Sequence, residues 1–255
     1  MSGLVRTGSR LGFDTLEIDS PANRNALSVE LLDVALEEVR RSAAGPGRGL
    51  LLHHTGPAFC SGVDLKERRR LGPDDASHST LLAELLRELW HYQKPVVASV
   101  DGAVRGGGLG ILACADVVLA SERSTFAYSE SRVGVAPALV MAVTLPMTSA
   151  RLLMPRLLDG AVFDARTALG LGLVGRIIED DEGDVVDGVL AELRQGAPAA
   201  QAAIKRVARQ WSEVDMDGLI EEMTVLSADL FAGEEAAEGV AAFAAKRAPS
   251  WAVSL

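Results

Sequence analysis

Hydrophobic and polar positions follow two different periods along the first two thirds of the chain. A period of two predicts a strand at 15–19, and short apolar runs predict buried strands at 50–54, 96–100, 116–120 and 173–178. Apolar residues at helical spacing predict helices at 29–43, 81–92, 109–115, 138–144 and 149–158. After the strand at 173–178, helices dominate to residue 243. Strands that alternate with helices, followed by helices alone, indicate an α/β core with a helical C-terminal region.

The chain shows no convincing repeat and no linker between two folding units. We therefore expect residues 1–190 to form the α/β core and residues 191–255 a helical region of the same folding unit. The polar stretch at 71–80 is expected to be a surface loop, and His78 lies within it.

Composition and charge exclude several classes of function. The 255 residues carry a formal net charge of −10, which opposes nonspecific binding to nucleic acid or to an anionic membrane. No apolar run approaches the roughly 20 residues of a membrane span, and the N-terminus lacks the apolar stretch of a secretory signal. Cys60 and Cys114 stand among small or apolar residues and are expected to be buried thiols without a disulfide. We expect a cytoplasmic protein.

A glycine-rich stretch carries the clearest candidate chemistry. After the predicted strand at 96–100 and a turn at Asp101-Gly102, three adjacent glycines (Gly106, Gly107 and Gly108) precede a helix. They let a bound group approach the backbone, and N–H groups at a helix start have no intrahelical acceptor. Glu130 follows in a polar segment. Backbone donors with a carboxylate placed after them suggest chemistry on a carbonyl.

Two other interpretations of these glycines compete. Residues 108–113 match the dinucleotide-binding pattern G-x-G-x-x-A, but its glycines normally follow the first strand of a domain directly. Here residues 101–107 intervene, and 107 residues precede the pattern. The second alternative is a purely structural turn.

A second turn, in the segment AFCSGVDLKE, is also expected to present backbone N–H donors. Gly62 permits a tight or left-handed conformation, so N–H groups near Val63 could be left without a partner.

Four motifs, in this order and spacing, resemble the enoyl-CoA hydratase/isomerase (crotonase) family: NRNALS, AFCSGVDLKE, VDGAVRGGGLG and SESRVGVAP. The resemblance extends over residues 16–251. It implies a spiral of repeated ββα units with a helical C-terminal region, assembled as a trimer or a dimer of trimers. It also implies an acyl-CoA thioester as substrate, with coenzyme A as part of the substrate and no separate cofactor.

The resemblance implies that the N–H groups of Val63 and Gly107 form an oxyanion hole and that Glu130 moves a proton. The second glutamate of the well-known hydratases would fall at Gly110 and is absent, which is expected to leave a gap near the carbonyl. One carboxylate suffices for a Δ3,Δ2-enoyl-CoA isomerase. However, a bacterial branch similar to methylglutaconyl-CoA hydratases also has glycine there, which favours hydration of a 2-enoyl-CoA. A family member that binds acyl-CoA without turnover is the remaining alternative.

Further residues are matched to substrate or coenzyme A contacts by the same resemblance. Arg24 is placed near the CoA phosphates, Lys66 lies just beyond the Val63 turn, and Lys246 would reach the CoA of a neighbouring subunit. The other matched positions are Ala26, Ala58, Ser61, Leu65 and Gly110.

The basic and imidazole side chains also have plainer explanations. The run formed by Lys66, Arg68, Arg69 and Arg70 could merely solvate a helix face. The four histidines show no metal-ligand spacing, so no metal site is expected.

Overall fold

Two β-sheets form the centre of the protein, in a computed structural model that describes residues 3–72, 75–179, 182–210 and 215–251. The strands of these residues, in chain order, are β1 (Val5–Arg10), β2 (Phe13–Ile18), β3 (Leu50–His54), β4 (Ala58–Ser61), β5 (Val96–Val100), β6 (Ala103–Arg105), β7 (Val117–Ser121), β8 (Thr125–Ala127), β9 (Phe163–Asp164) and β10 (Arg176–Ile178).

Helices surround the sheets and make up the C-terminal part. They are α1 (Val29–Ala44), α2 (Leu65–Leu71), α3 (Ser77–Trp90), α4 (Gly107–Cys114), α5 (Ala138–Thr144), α6 (Ala150–Asp159), α7 (Ala165–Gly170), α8 (Glu182–Gln195), α9 (Pro198–Gln210), α10 (Met216–Ala232) and α11 (Glu234–Ala244). Short 3-10 helices lie at Pro21–Asn23, Ser129–Val133 and Leu145–Met147. None of the described helices is long and apolar enough to cross a membrane.

The strand order of the sheets shows a repeating unit. One sheet has the order β1-β2-β3-β5-β7-β10, and the other has the order β4-β6-β8-β9. The pairs β3–β5–β7 and β4–β6–β8 are parallel. Each strand of the first series is thus followed by a strand of the second, and helices return the chain to the first sheet. This alternation confirms the predicted spiral of ββα units with its helical C-terminal region.

The pleat of β3 explains why the larger sheet has a core on each face. Successive side chains of a strand point to opposite faces. Leu50 and Leu52 accordingly join the main core with α1 and α3, whereas Leu51 packs with Val97 against the α8 residue Leu190. A strand buried on both faces reads as the continuous apolar run seen in the sequence.

An ion cluster attaches α9 to the larger sheet. The Asp116 carboxylate lies 2.5 Å from Lys205 Nζ and 3.2 Å from Arg209 Nη2, and it accepts a hydrogen bond of 2.7 Å from the Val96 N–H. Both cations keep only 11% of their side-chain surface exposed. Burial lowers the pKa of Lys205 to about 8, against the opposing effect of Asp116.

The loop expected at 71–80 is shorter in the structure, because helices occupy both of its ends. Helix α2 continues to Leu71, and α3 begins at Ser77 instead of residue 81. Residues 73–74 of the expected loop lie outside the described residues, as do 211–214 and 252–255 of the predicted helical region. The earlier start of α3 places His78 in its first turn.

Candidate active site

One cleft collects the principal residues selected from the sequence. It encloses about 470 Å³ of space, including its open mouth. Val63, Gly107 and Glu130 all line it. The rest of the lining comes from α2, α3, α5 with the two residues before it, and the C-terminal helix α10. These residues are Arg68, His78, Ser79, Leu82, Ala136, Pro137, Ala138, Leu139, Val140, Ser227 and Phe231.

The turn at Val63 is fixed by hydrogen bonds on both sides of that residue. The Leu27 N–H donates to the Gly62 carbonyl at 2.8 Å, and the Asp64 N–H donates to the Leu27 carbonyl at 3.1 Å. Gly62 has φ +92°, a conformation that strongly favours glycine. Asp64 then caps α2 by accepting from the Lys66 N–H at 3.0 Å. Among the described residues, none accepts a hydrogen bond from the Val63 N–H, so it is available as a donor.

A second free donor lies at the start of α4. Gly106 has φ +51° and ψ −123°, and its N–H donates to the Ala127 carbonyl of β8 at 3.2 Å. Gly107 is the first residue of the helix, where an N–H has no intrahelical partner. Within the described part of the chain its N–H has no other acceptor. The two turns therefore present two backbone donors to one cleft.

Glu130 lies close to both turns. A β-carbon added to Gly106 would stand 2.9 Å from Glu130 Oε1 and 3.6 Å from the Gly62 Cα. The Glu130 residue keeps some surface, but its Oε2 is fully buried and has no hydrogen-bond partner among the described residues. Burial raises the pKa of Glu130 from 4.5 to about 7. A carboxyl group with such a pKa can both give and take a proton near neutral pH.

Cys60 contacts both turns, at Gly62 and at Gly108. Its Sγ accepts a hydrogen bond of 3.3 Å from the Gly62 N–H, and its side chain packs against Gly108. Gly108 must be a glycine here, since an added β-carbon would lie 2.6 Å from the Cys60 Cβ. Cys60 and Cys114 are both buried and not disulfide-bonded, as predicted, and burial raises the pKa of each thiol to about 12.

The structure shows close packing at the β-carbon position of Gly110. Gly110 is buried in α4, and a β-carbon there would meet Leu86 Cδ2 at 3.2 Å and the Val140 Cα at 3.6 Å. Gly110 is also not among the residues that line the cleft. A β-carbon would therefore fit only with a small shift of the Leu86 side chain, so no gap is seen at this position of the helix.

The predicted CoA-contact residues of the first two motifs lie beside one another. The buried Asn25 side chain donates to the Thr55 and Ala58 carbonyls at 3.0 and 2.7 Å, which ties the first motif to β4. Ser61 Oγ donates to the Asn23 carbonyl at 3.3 Å. This arrangement brings together Arg24, Ala26, Ala58 and Ser61, of which Arg24 is exposed and the two alanines are buried.

The remaining basic residues differ in exposure. Lys66, Arg69 and Lys246 are exposed, and Leu65 is half-buried at the start of α2. Arg68 does not solvate a helix face: it is 7% exposed, donates to the Gly72 and Asp75 carbonyls, and stacks 5.1 Å from the Phe231 ring.

Sequence reasoning missed the pair formed by the buried His78 and the half-buried Glu67. The His78 Nε2 and the Glu67 Oε2 are 3.0 Å apart, and His78 is 3% exposed. Glu67 is held by a second hydrogen bond, from the Val29 N–H at 2.9 Å. The polar stretch at 71–80 has no hydrophobic periodicity, so the sequence did not predict that α3 begins at Ser77. No group of three or more metal-ligating side chains occurs among the residues described.

Comparisons with known proteins agree with this geometry. The sequence profile of the enoyl-CoA hydratase/isomerase family matches residues 12–253. Enoyl-CoA hydratase EchA19 of Mycobacterium tuberculosis is 31% identical over 92% of this chain and 91% of its own length. Carnitinyl-CoA dehydratase of Proteus mirabilis is 31% identical over 76% of each chain. The crystal structure of an enoyl-CoA hydratase from Mycobacterium avium superposes with a TM-score of 0.87 at 34% identity, covering 98% of this chain and all of that one. A chain with this fold, these motifs and these relatives belongs to the enoyl-CoA hydratase/isomerase family.

Proposed function

We propose that the protein hydrates a 2-enoyl-CoA thioester. The observation that carries this proposal is a buried carboxyl group, Glu130, whose pKa is raised to about 7 beside two turns with free N–H groups. The names of the similar proteins, a hydratase and a dehydratase of CoA thioesters, are consistent with it.

Two backbone N–H donors and one carboxyl group carry out the proposed chemistry. The N–H groups of Val63 and Gly107 hold the thioester carbonyl oxygen as it gains negative charge. Preorganised donors of this type typically lower the activation barrier by about 3 kcal/mol each. Glu130 transfers a proton at the carbon next to the carbonyl. Coenzyme A is part of the substrate, and the reaction needs no separate cofactor or metal.

We assign the coenzyme A moiety to the surface beside the first two motifs. Arg24 and Lys66 are the exposed cations there, and guanidinium and ammonium groups pair with phosphate. The chain's net charge of −10 makes such local cations necessary for an anionic ligand. Ala26, Ala58, Ser61 and Leu65 supply the neighbouring contacts.

We further propose a cytoplasmic homotrimer or dimer of trimers in which Lys246 contacts the CoA of a neighbouring subunit. Lys246 is exposed near the end of α11. Several large apolar side chains are also exposed, which is typical of a surface covered in an assembly, among them Leu158, Ile204 and Phe243.

A Δ3,Δ2-enoyl-CoA isomerase is the second candidate. It is favoured because Glu130 is the single carboxylate among the described residues that line the cleft, and one carboxylate can carry a proton between two carbons. A family member that binds acyl-CoA without turnover is the third, favoured by the missing carboxylate at Gly110.

Incubation of the purified protein with 2-enoyl-, 3-enoyl- and branched glutaconyl-CoA thioesters distinguishes the three, provided that chromatography separates isomers of equal mass before each product is identified by mass. A mass gain of one water from the 2-enoyl or glutaconyl thioester supports the hydratase. Conversion of the 3-enoyl thioester alone supports the isomerase, and binding without any product supports the third candidate. Glu130→Gln is expected to lower the rate at least hundredfold, and a rate within a few-fold of the unaltered protein would refute its role.

A further inference from the structure

Hydration uses an acid and a base, and a second group beside Glu130 would separate these two tasks. Adding water to a C2=C3 bond places a hydroxyl on one carbon and a proton on the other. A carboxyl group that is protonated in order to deliver its proton to C2 is a weak base towards the water. Gly110 stands where a second carboxylate would be, and a β-carbon there would contact Leu86 and Val140.

His78 occupies the same cleft and has an unused acceptor. Its ring is buried to 3% exposure at the start of α3, and it lines the cleft together with Glu130. Among the described residues, its Nδ1 has no hydrogen-bond partner although the atom is fully buried. Buried polar atoms are normally paired, so an orphaned ring nitrogen beside a reaction cleft calls for a ligand.

The pairing with Glu67 determines the tautomer of His78. The Glu67 carboxylate accepts from Nε2–H, which leaves the lone pair of a neutral ring on Nδ1. Burial lowers the pKa of His78, against the opposing effect of Glu67. The other charged groups near the ring are Arg68 on α2, Asp75 before α3 and Glu130 across the cleft. The α10 residues that line the cleft, Ser and Phe, do not titrate near neutral pH. The ring is therefore neutral and basic at Nδ1.

We propose that His78, oriented by Glu67, is the second catalytic group and accepts the proton of the water that adds to the substrate. This inference rests on the proposed hydratase function. The water oxygen bonds to C3 as its proton passes to Nδ1, and the C2=C3 electron pair moves into the enolate, whose charge lies on the carbonyl oxygen. Protonated Glu130 then gives its proton to C2. Transfer of the proton from the imidazolium to the Glu130 carboxylate through water restores both groups.

The two side chains have environments suited to these opposite tasks. Burial favours the protonated form of Glu130 and the neutral form of His78. A carboxyl shifted up and an imidazole shifted down form the acid and base pair expected of a site that works at neutral pH. Glu67 acts as a positioning residue, because it contacts the ring and the start of α1 but is not part of the cleft lining.

The test compares His78→Gln with His91→Gln, which changes an exposed histidine outside this cleft. Two rates are measured for each: hydration of a 2-enoyl-CoA, and exchange of the C2 protons of a saturated acyl-CoA with deuterated water. Exchange needs Glu130 and the oxyanion donors but no added water. We expect His78→Gln to lose at least a hundredfold in kcat for hydration, with KM and the exchange rate within threefold. Glu130→Gln should lose both reactions, and His91→Gln neither.

Two results overturn the inference while leaving the proposed function intact. One is hydration by His78→Gln within threefold of the unaltered protein. The other is an equal loss of hydration and exchange, which indicates a structural role. If His78→Gln does not fold, His78→Asn is judged by the same criteria. Glu67→Gln should shift the acidic limb of the pH profile for hydration, whereas a merely structural role would lower the rate equally at all pH values. An unaltered protein that hydrates no thioester refutes the proposed function itself.

Discussion

Replacement of Glu130 by Gln is expected to stabilise the folded protein while removing its activity. Burial raises the pKa of this carboxyl from 4.5 to about 7, so folding is opposed whenever the unfolded chain would carry the charge. Each factor of ten in proton affinity corresponds to about 1.4 kcal/mol. The ionised group therefore costs up to about 3 kcal/mol of unfolding free energy above pH 7.

The sign of the pH dependence follows from the raised pKa. Below pH 4.5 both states are protonated and the penalty vanishes, and it grows as the pH rises towards 7. Urea denaturation at pH 5, 6, 7 and 8 should show Glu130→Gln gaining stability over the unaltered protein by up to about 3 kcal/mol at pH 8 and little at pH 5. Glu222→Gln, at an exposed position of α10, is the control and should show no such trend. A difference that stays flat across this range would refute the burial argument.

Three further perturbations probe the site and its support. Gly106→Ala should lower kcat at least hundredfold, because the added carbon would lie 2.9 Å from Glu130 Oε1 at φ +51°, whereas Gly170→Ala, with open space around it, should leave kcat unchanged. Cys60 and Cys114 should resist iodoacetamide at pH 8 until urea is added, since burial raises their pKa to about 12; labelling of the native protein, counted by mass, would contradict this. Asp116→Asn should lower the free energy of unfolding by about 3 kcal/mol, because two buried cations lose their counter-charge; a loss below about 1 kcal/mol in urea titrations would contradict it.

Five of the six strands of the larger sheet could be predicted from the sequence, but its edge strand β1 and the smaller sheet could not. Strands such as Leu50–His54 and Val96–Val100 are long apolar runs, buried on both faces, and their bounds were predicted without error. Strands Ala103–Arg105 and Thr125–Ala127 have three residues each, too few for a period to be recognised. They form because the neighbouring longer strands bring them side by side. This pairing depends on the tertiary structure, so the local sequence pattern does not predict it. The β4 segment was interpreted as part of a turn for the same reason.

The same difference between local and tertiary information explains which residues of the candidate site could be predicted from the sequence. Val63 and Gly107 could be selected because a nearby glycine and a helix start free an N–H group, and both effects act over one or two residues. The pair of His78 and Glu67 depends on two helices meeting across eleven positions of sequence, and His78 stood in a stretch without periodicity. The packing around Gly110 could not be predicted either, since Leu86, which contacts this position, belongs to another helix. A missing carboxylate in one motif therefore does not define the chemistry of the cleft, because a side chain brought in by a separate helix can supply the base.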